Sequence, residues 1–297
     1  MNMKKKLAPL SVLAAGSLWG LMGIFVRHFN AADLGSLEVT QIRIVTGLLI
    51  VGAYLLLFHR EALRIRLWDL WCFLGTGILS LLLFSCCYFS AMNYTSLAVA
   101  AVLLYTAPVF VMLMSLLLFR EKLTGRKVLA LALAFGGCVL VSGLGSDAAV
   151  SLPGLLLGLG SGFFYALYSI FGRYAINRGY HAWTLTFYTF LFCALGAAPL
   201  ADWSAIAGAV AADGGLWLWI LGMGIVTAFL PYVLYSLGLE GIESSRASIL
   251  ASVEPVVGTL VSVLVFHEAI TAGGVLGIVL VLLAIAVLSA PKKRAAA

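Results

Sequence analysis

Apolar residues run through this chain in blocks of about twenty, and most polar residues fall in the short intervals between them. The blocks lie at about 7–27, 36–58, 68–92, 95–119, 126–145, 152–176, 181–201, 215–238, 243–266 and 271–290. A helix needs ~20 mostly apolar residues to cross the hydrocarbon layer, so the pattern predicts ten membrane-spanning helices joined by short loops. Strands of a membrane barrel alternate apolar and polar residues over ~10 positions, and these blocks do not alternate. No interval is long enough for a separate soluble domain.

Composition agrees. Of 297 residues, 63% are hydrophobic and 10% charged, against ~45–50% and ~25% in ordinary soluble domains. A water-soluble fold would lack the polar residues to cover its surface, and disorder requires the opposite bias. The Lys4-Lys5-Lys6 start followed by an apolar block imitates a signal peptide, but the many blocks after it favour a retained first span. The five cysteines (Cys72, Cys86, Cys87, Cys138, Cys193) fall inside apolar blocks, with no disulfide framework or metal spacing.

The net charge of +6 adds topology rather than a nucleic-acid face. Sixteen of the eighteen Lys and Arg residues fall in alternate intervals or at their rims: Lys4–Lys6, Arg60, Arg64, Arg66, Arg120, Lys122, Arg126, Lys127, Arg173, Arg178, Arg246 and Lys292–Arg294. The opposite intervals hold Arg27 at their rim with Asp33, Glu38, Asp147, Asp202, Asp213 and Glu268. Basic loops stay cytoplasmic, which places both termini in the cytoplasm of a cell (inner or plasma) membrane.

The chain also repeats. An ungapped offset of 147 brings Pro108 onto Pro255, Gly75 onto Gly222, Gly77 onto Gly224, Tyr88 onto Tyr235, Phe119 onto Phe266, Glu121 onto Glu268 and Thr124 onto Thr271. Near the front an offset of 146 pairs Gly16, Ile24, Phe25 and Arg27 with Gly162, Ile170, Phe171 and Arg173. The expected division is 1–146 and 147–297. Five spans per half is an odd number, so the second half enters the membrane inverted, the architecture of many secondary transporters.

A few residues carry more than topology. Pro108 and Pro255 sit near mid-span in spans four and nine, where a missing N–H breaks the helix and shapes a cavity or gate. Glu254 lies beside Pro255, where an acid costs at least ~2.5 kcal/mol; it is read as a proton-coupling acid or a counter-ion for a cationic substrate group, against a structural hydrogen bond. Arg43 in span two, with Gln41 nearby, suits a substrate carboxylate, against snorkelling or pairing with Glu38. Trp19, Tyr88, Tyr105, Tyr165, Tyr168, Tyr232 and Tyr235 lie inside spans, where a hydroxyl favours a cavity wall. Small-residue faces at Gly16/Gly20 and at Gly154, Gly158, Gly162 and Ala166 mark close helix contacts. The candidate substrate-binding set is Trp19, Gln41, Arg43, Tyr88, Tyr105, Tyr165, Tyr168, Tyr232, Ser252 and Glu254, with Pro108 and Pro255 as helix-break or gating positions.

No catalytic or metal-binding motif is visible: the histidines are scattered, and Gly158-Leu159-Gly160-Ser161-Gly162 lies inside a span without a Walker lysine. An enzyme is not expected, nor are cofactors, nucleic acid or an ATPase subunit. The expected partners are a small-molecule substrate and the lipid bilayer, with the chain a monomer or homodimer.

Gly16-Ser17-Leu18-Trp19-Gly20, Ala91-Met92-Asn93-Tyr94-Thr95-Ser96, Tyr105-Thr106-Ala107-Pro108-Val109-Phe110 through Phe119-Arg120-Glu121-Lys122-Leu123, and the echo Val253-Glu254-Pro255-Val256 through Phe266-His267-Glu268-Ala269-Ile270 resemble the EamA type of the drug/metabolite transporter superfamily. The resemblance spans essentially the whole chain and implies an all-α fold of ten transmembrane helices in two inverted five-helix repeats. It also implies alternating access around a central cavity and export of small metabolites such as amino acids; the alternative is a multidrug or organic-cation exporter using Glu254. Trp19, Arg43, Tyr105, Pro108, Glu254 and Pro255 match motif positions. Where the family has Gly-Glu after spans four and nine, this chain has Arg120-Glu121 and His267-Glu268, for which structural roles at helix ends are expected.

Overall fold

The computed structural model describes residues 3–143 and 151–290. Among these the regular elements are helical throughout. Eight helices are long and apolar enough to cross a membrane: Lys6–Asn30, Ser36–Phe58, Leu67–Ala91, Leu97–Phe119, Leu152–Asn177, Leu216–Gly241, Ser244–Leu264 and Ala272–Ser289. The shorter apolar helices Gly125–Val141 and Ala182–Ala197 fill the fifth and seventh places, completing ten spans in two inverted five-helix repeats. Asp147, Lys292, Lys293, Arg294 and the expected division at 146/147 lie outside the described residues.

One expected loop is a helix. Trp203–Ala212 follows span seven, and none of its residues is buried. Asp202 starts it by accepting the backbone N–H groups of Ser204 (2.9 Å) and Ala205 (3.1 Å). Ten residues are too few to cross the hydrocarbon, so the apolar pattern passed over it.

The basic segments converge at one end of the bundle. There Arg126 donates to the Ala290 carbonyl, Arg246 to that of Leu288, Lys127 reaches Glu243 at 2.7 Å, and Arg178 reaches Asp69 at 2.8 Å. This is called the basic end. At the acidic end Arg27 pairs with Glu268, and Glu38 accepts the Asp202 N–H at 3.0 Å.

The repeats interlock crosswise. Span one of the first repeat lays Gly16 and Gly20 on span nine of the second; a Cβ on Gly16 would stand 2.8 Å from the Ala251 carbonyl oxygen. Span six of the second repeat lays Gly162 on span four of the first, where a Cβ would meet the Leu103 carbonyl oxygen at 2.8 Å. Without a hydrophobic drive between helices in lipid, small residues permit the backbone approach that gives such contacts their dispersion energy. A closed core joins the two halves, with Trp19, Tyr168, Phe190, Tyr232, Tyr235 and Leu250 among its members.

Two further irregularities are paired by the repeat. Span three has a π-helical stretch at Gly75–Leu82 and span eight one at Gly224–Phe229. Gly75 faces the Phe171 ring and Gly222 faces that of Phe25, the glycines related by the 147 offset and the rings by the 146 offset. Such stretches widen the helix locally and occur often at functional sites.

Candidate functional site

Span four stops as a helix at Leu104 and resumes at Ala107; span nine stops at Ala251 and resumes at Glu254. Pro108 and Pro255 occupy the first turn of the resumed halves, where a missing N–H costs no bond. Carbonyls beside the breaks find local donors. The Leu103 carbonyl accepts the Thr106 hydroxyl at 2.6 Å, and the Leu250 carbonyl accepts the Val253 N–H at 3.3 Å. Each break is pressed by the small-residue face of the opposite repeat, so two broken helices meet mid-bundle.

A file of cavities runs past them. At the acidic end a vestibule of about 680 Å³ is lined by Arg27, Tyr88, Leu97, Ala98, Tyr105, Pro255, Thr259 and Glu268, among others. Tyr105 also borders an inner compartment of about 30 Å³, shared with Pro108, Tyr165, Tyr235, Ser248, Ser252 and Glu254. Tyr165 and Tyr235 in turn border a compartment of about 20 Å³ with Trp19, Ser80, Phe84, Tyr168 and Tyr232. The vestibule is the size of a small-ligand site, whereas each inner compartment has room for about one or two waters.

The inner wall is aromatic and cross-braced. Trp19 meets Tyr232 edge-on at 5.3 Å between centroids and Tyr235 at 5.5 Å; Tyr168 meets Tyr232 at 5.3 Å. Tyr168 Oη lies 2.8 Å from Ser236 Oγ, and Tyr235 Oη lies 2.7 Å from Ser169 Oγ. These hydroxyls satisfy one another between spans six and eight, and all four side chains except Ser236 line the innermost compartment.

Of the twelve candidate positions, ten line these cavities: Trp19, Tyr165, Tyr168 and Tyr232 the innermost, Tyr105, Pro108, Tyr165, Ser252 and Glu254 the middle, Tyr88, Tyr105 and Pro255 the vestibule. Gln41 and Arg43 line none of them. Gln41 is buried and donates to the Ala194 carbonyl at 3.3 Å, with its Oε1 unpartnered. Arg43 is 8% exposed, so it does not snorkel; its Nη1 lies 3.9 Å from Met22 Sδ and its Nε has no partner. Glu38 is engaged with Asp202 rather than Arg43. Arg43 is nonetheless an electrostatic neighbour of both Glu254 and Tyr232. Tyr235 and Ser248 were absent from the candidate set, although Tyr235 borders both inner compartments. Its equivalence to Tyr88 and its i,i+3 spacing from Tyr232 were the available signals.

The helix-end glutamates differ from each other. Glu121 is partly buried at the basic end, while Glu268 pairs with Arg27 at 2.5 Å and is half exposed. The Arg27 hydrogen bond holds the Glu268 carboxyl below its ordinary value of 4.5.

A family model described as the EamA-like transporter family matches residues 6–143 and 152–290. An uncharacterized transporter of Archaeoglobus fulgidus is 31% identical over 267 residues, 90% of each chain. The uncharacterized transporter YwfM of Bacillus subtilis is 26% identical over 297 residues, covering 98% of this chain and 97% of its own. A solved crystal structure shares the fold with a TM-score of 0.80 at 20% identity, over 96% of both chains.

Proposed function

The chain belongs to the EamA-like transporter family, and from that premise we propose that this membrane transporter is a secondary exporter of small zwitterionic metabolites, amino acids or close relatives, working by alternating access. The observation that carries the reading is Glu254. It stands at the break of span nine, borders a cavity with Tyr105, Tyr165 and Ser252, and no side-chain bond to it is found among the described residues. An acid left without a protein partner at mid-membrane is suited to a substrate ammonium group or a transported proton. Arg43 lines none of the cavities in this state but is an electrostatic neighbour of Glu254 with an unpartnered Nε, so a rearrangement that exposes it would offer a carboxylate its guanidinium.

The positive-inside bias supports the basic end, with both termini, on the cytoplasmic side of a cell membrane. The vestibule then opens away from the cytoplasm, and loading requires a second state open at the basic end. Export follows the family's common use. The molecule is read as a monomer or homodimer in the bilayer, without an ATPase partner.

Counterflow of labelled amino acids in proteoliposomes tests the reading. Trans-stimulated exchange is expected, together with pH-dependent uptake that Glu254→Gln removes while the protein remains folded. Exchange of organic cations but not zwitterions would replace the substrate class, and unchanged pH dependence in Glu254→Gln would remove proton coupling.

A further inference from the structure

Glu121 and Glu268 are equivalent by the 147 offset yet make opposite contacts. Each is preceded by a left-handed residue, Arg120 directly after the span-four helix and His267 three residues after the end of the span-nine helix. Both backbone N–H groups reach back six residues, to Ser115 O at 3.2 Å and Ser262 O at 3.1 Å. The two carboxylates are thus launched from the same local geometry, and only their surroundings differ.

At the basic end Glu121 is fastened to the first turn of span nine. It accepts the Ser244 N–H at 2.8 Å, the Ser245 N–H at 3.3 Å and the Ser245 hydroxyl. Lys127 stands 3.4 Å from the same carboxylate, and Arg173 donates to Ser244 Oγ at 3.0 Å and to the Ile242 carbonyl. A carboxylate on the orphan N–H groups of a helix start is stabilised by charge-assisted hydrogen bonds and by the helix dipole. This contact ties the end of span four in one repeat to the start of span nine in the other.

The offset that maps Glu121 onto Glu268 maps Ser244 and Ser245 onto Leu97 and Ala98, the first turn of span four. Leu97, Ala98 and Glu268 line the same 680 Å³ vestibule. Glu268 therefore faces its equivalent helix start across open space. It is held by Arg27, whose guanidinium also stacks 3.9 Å over Phe266. Arg27 is the repeat equivalent of Arg173.

We propose that Glu121 and Glu268 are exchangeable gate residues that take turns capping the broken helix of the opposite repeat. With Glu121 on Ser244 and Ser245 span nine is closed onto span four at the basic end, apart from the separate recess of about 800 Å³ beside His59, Arg178 and Thr184, and the vestibule is open. In the opposite state Glu121 releases them, and Glu268 leaves Arg27 for the N–H groups of Leu97 and Ala98. The two ends are not matched in strength. Ser245 gives Glu121 a hydroxyl in addition to its N–H, whereas Leu97 and Ala98 have only their N–H groups to give. That asymmetry favours the state seen in the structure. The proposal rests on alternating access.

Single cysteine reporters in membrane vesicles of either orientation test it. Membrane-impermeant maleimide reads Thr259→Cys from the acidic side and Ser248→Cys from the basic side, above the background of the parent chain, whose five cysteines are buried or partly buried. Removing the Glu121 charge is expected to raise Ser248→Cys labelling from the basic side about tenfold or more and to slow Thr259→Cys labelling. Glu268→Gln is expected to leave Thr259→Cys reactive and to suppress Ser248→Cys labelling further. Ser245→Ala retains the Glu121 carboxylate and is expected to act like Glu121→Gln with smaller size, which decides the matter if Glu121→Gln does not fold. A measurable parent rate at Ser248→Cys that neither Glu121→Gln nor Ser245→Ala alters overturns the gates and leaves alternating access standing. No labelling of Ser248→Cys from the basic side in any variant, with Thr259→Cys always reactive, overturns alternating access itself.

Discussion

A methyl group on Gly20 of span one would stand 2.7 Å from the carbonyl oxygen of Glu254 in span nine. The backbone of one repeat thus rests directly on the helix break of the other, beside the acid that the functional reading depends on.

Gly20→Val should therefore push span nine outward. Overpacking of a close contact costs about 1–3 kcal/mol, so a lowered midpoint of thermal unfolding in detergent is expected, with loss of exchange activity. Gly23, one turn on, has open space around its missing side chain and serves as the control. Equal behaviour of Gly20→Val and Gly23→Val would contradict the contact.

Arg120 and His267 adopt left-handed backbone at φ 54 and 55. A side chain pays about 1 kcal/mol or more there, which glycine does not. Arg120→Gly and His267→Gly should each raise stability by up to about 1 kcal/mol, restoring the Gly-Glu of the family pattern. Thermal unfolding of the purified variants checks this; a fall in both would mean their side chains contribute more than the strain costs.

Glu268 is an acid whose folded value lies below its ordinary 4.5, chiefly through the hydrogen bond from Arg27. Such a group contributes its pairing above the unfolded value and loses it as pH falls through the lower folded one. The Arg27–Glu268 pair should thus be intact throughout the neutral range and release only in acid below 4.5. Carboxyl NMR titration should place the Glu268 inflection lower in the parent than in Arg27→Gln. Coincident inflections would remove the pair as the cause.

Tyr235→Phe deletes the 2.7 Å bond to Ser169 and leaves a buried hydroxyl without its partner. Hydrogen bonds between membrane helices contribute about 0.6 kcal/mol on average and up to about 1.7. A double-mutant cycle with Ser169→Ala should return a coupling in that range, read from unfolding midpoints. Additive losses would show that the two hydroxyls act independently.

Much of this was legible along the chain. The span positions follow from hydrocarbon thickness acting on apolar runs, and the inversion follows from an odd number of spans per repeat. Pro108 and Pro255 announced their helix breaks because proline lacks the N–H whatever surrounds it. The helix at Trp203–Ala212 was not legible, since it is too short to carry a crossing signal. Nor were the π-helical stretches after Gly75 and before Leu230, which depend on rings and helices packed against them from other spans.

The candidate site divides along the same line. Local chemistry marked Glu254, Tyr105 and the tyrosines of spans six and eight as residues that lipid would not tolerate facing outward, and these are cavity residues in the structure. Their order along the file of cavities, with Tyr105 between vestibule and Glu254, is a property of how distant spans cross. Gln41 and Arg43 read as equals of that set, yet both are buried away from the cavities. The repeat likewise identifies Glu121 and Glu268 as equivalents. That Glu121 caps a helix while Glu268 pairs with Arg27 was decided by the tertiary structure, because hydrogen bonds across 123 residues exist only where the fold brings the partners together.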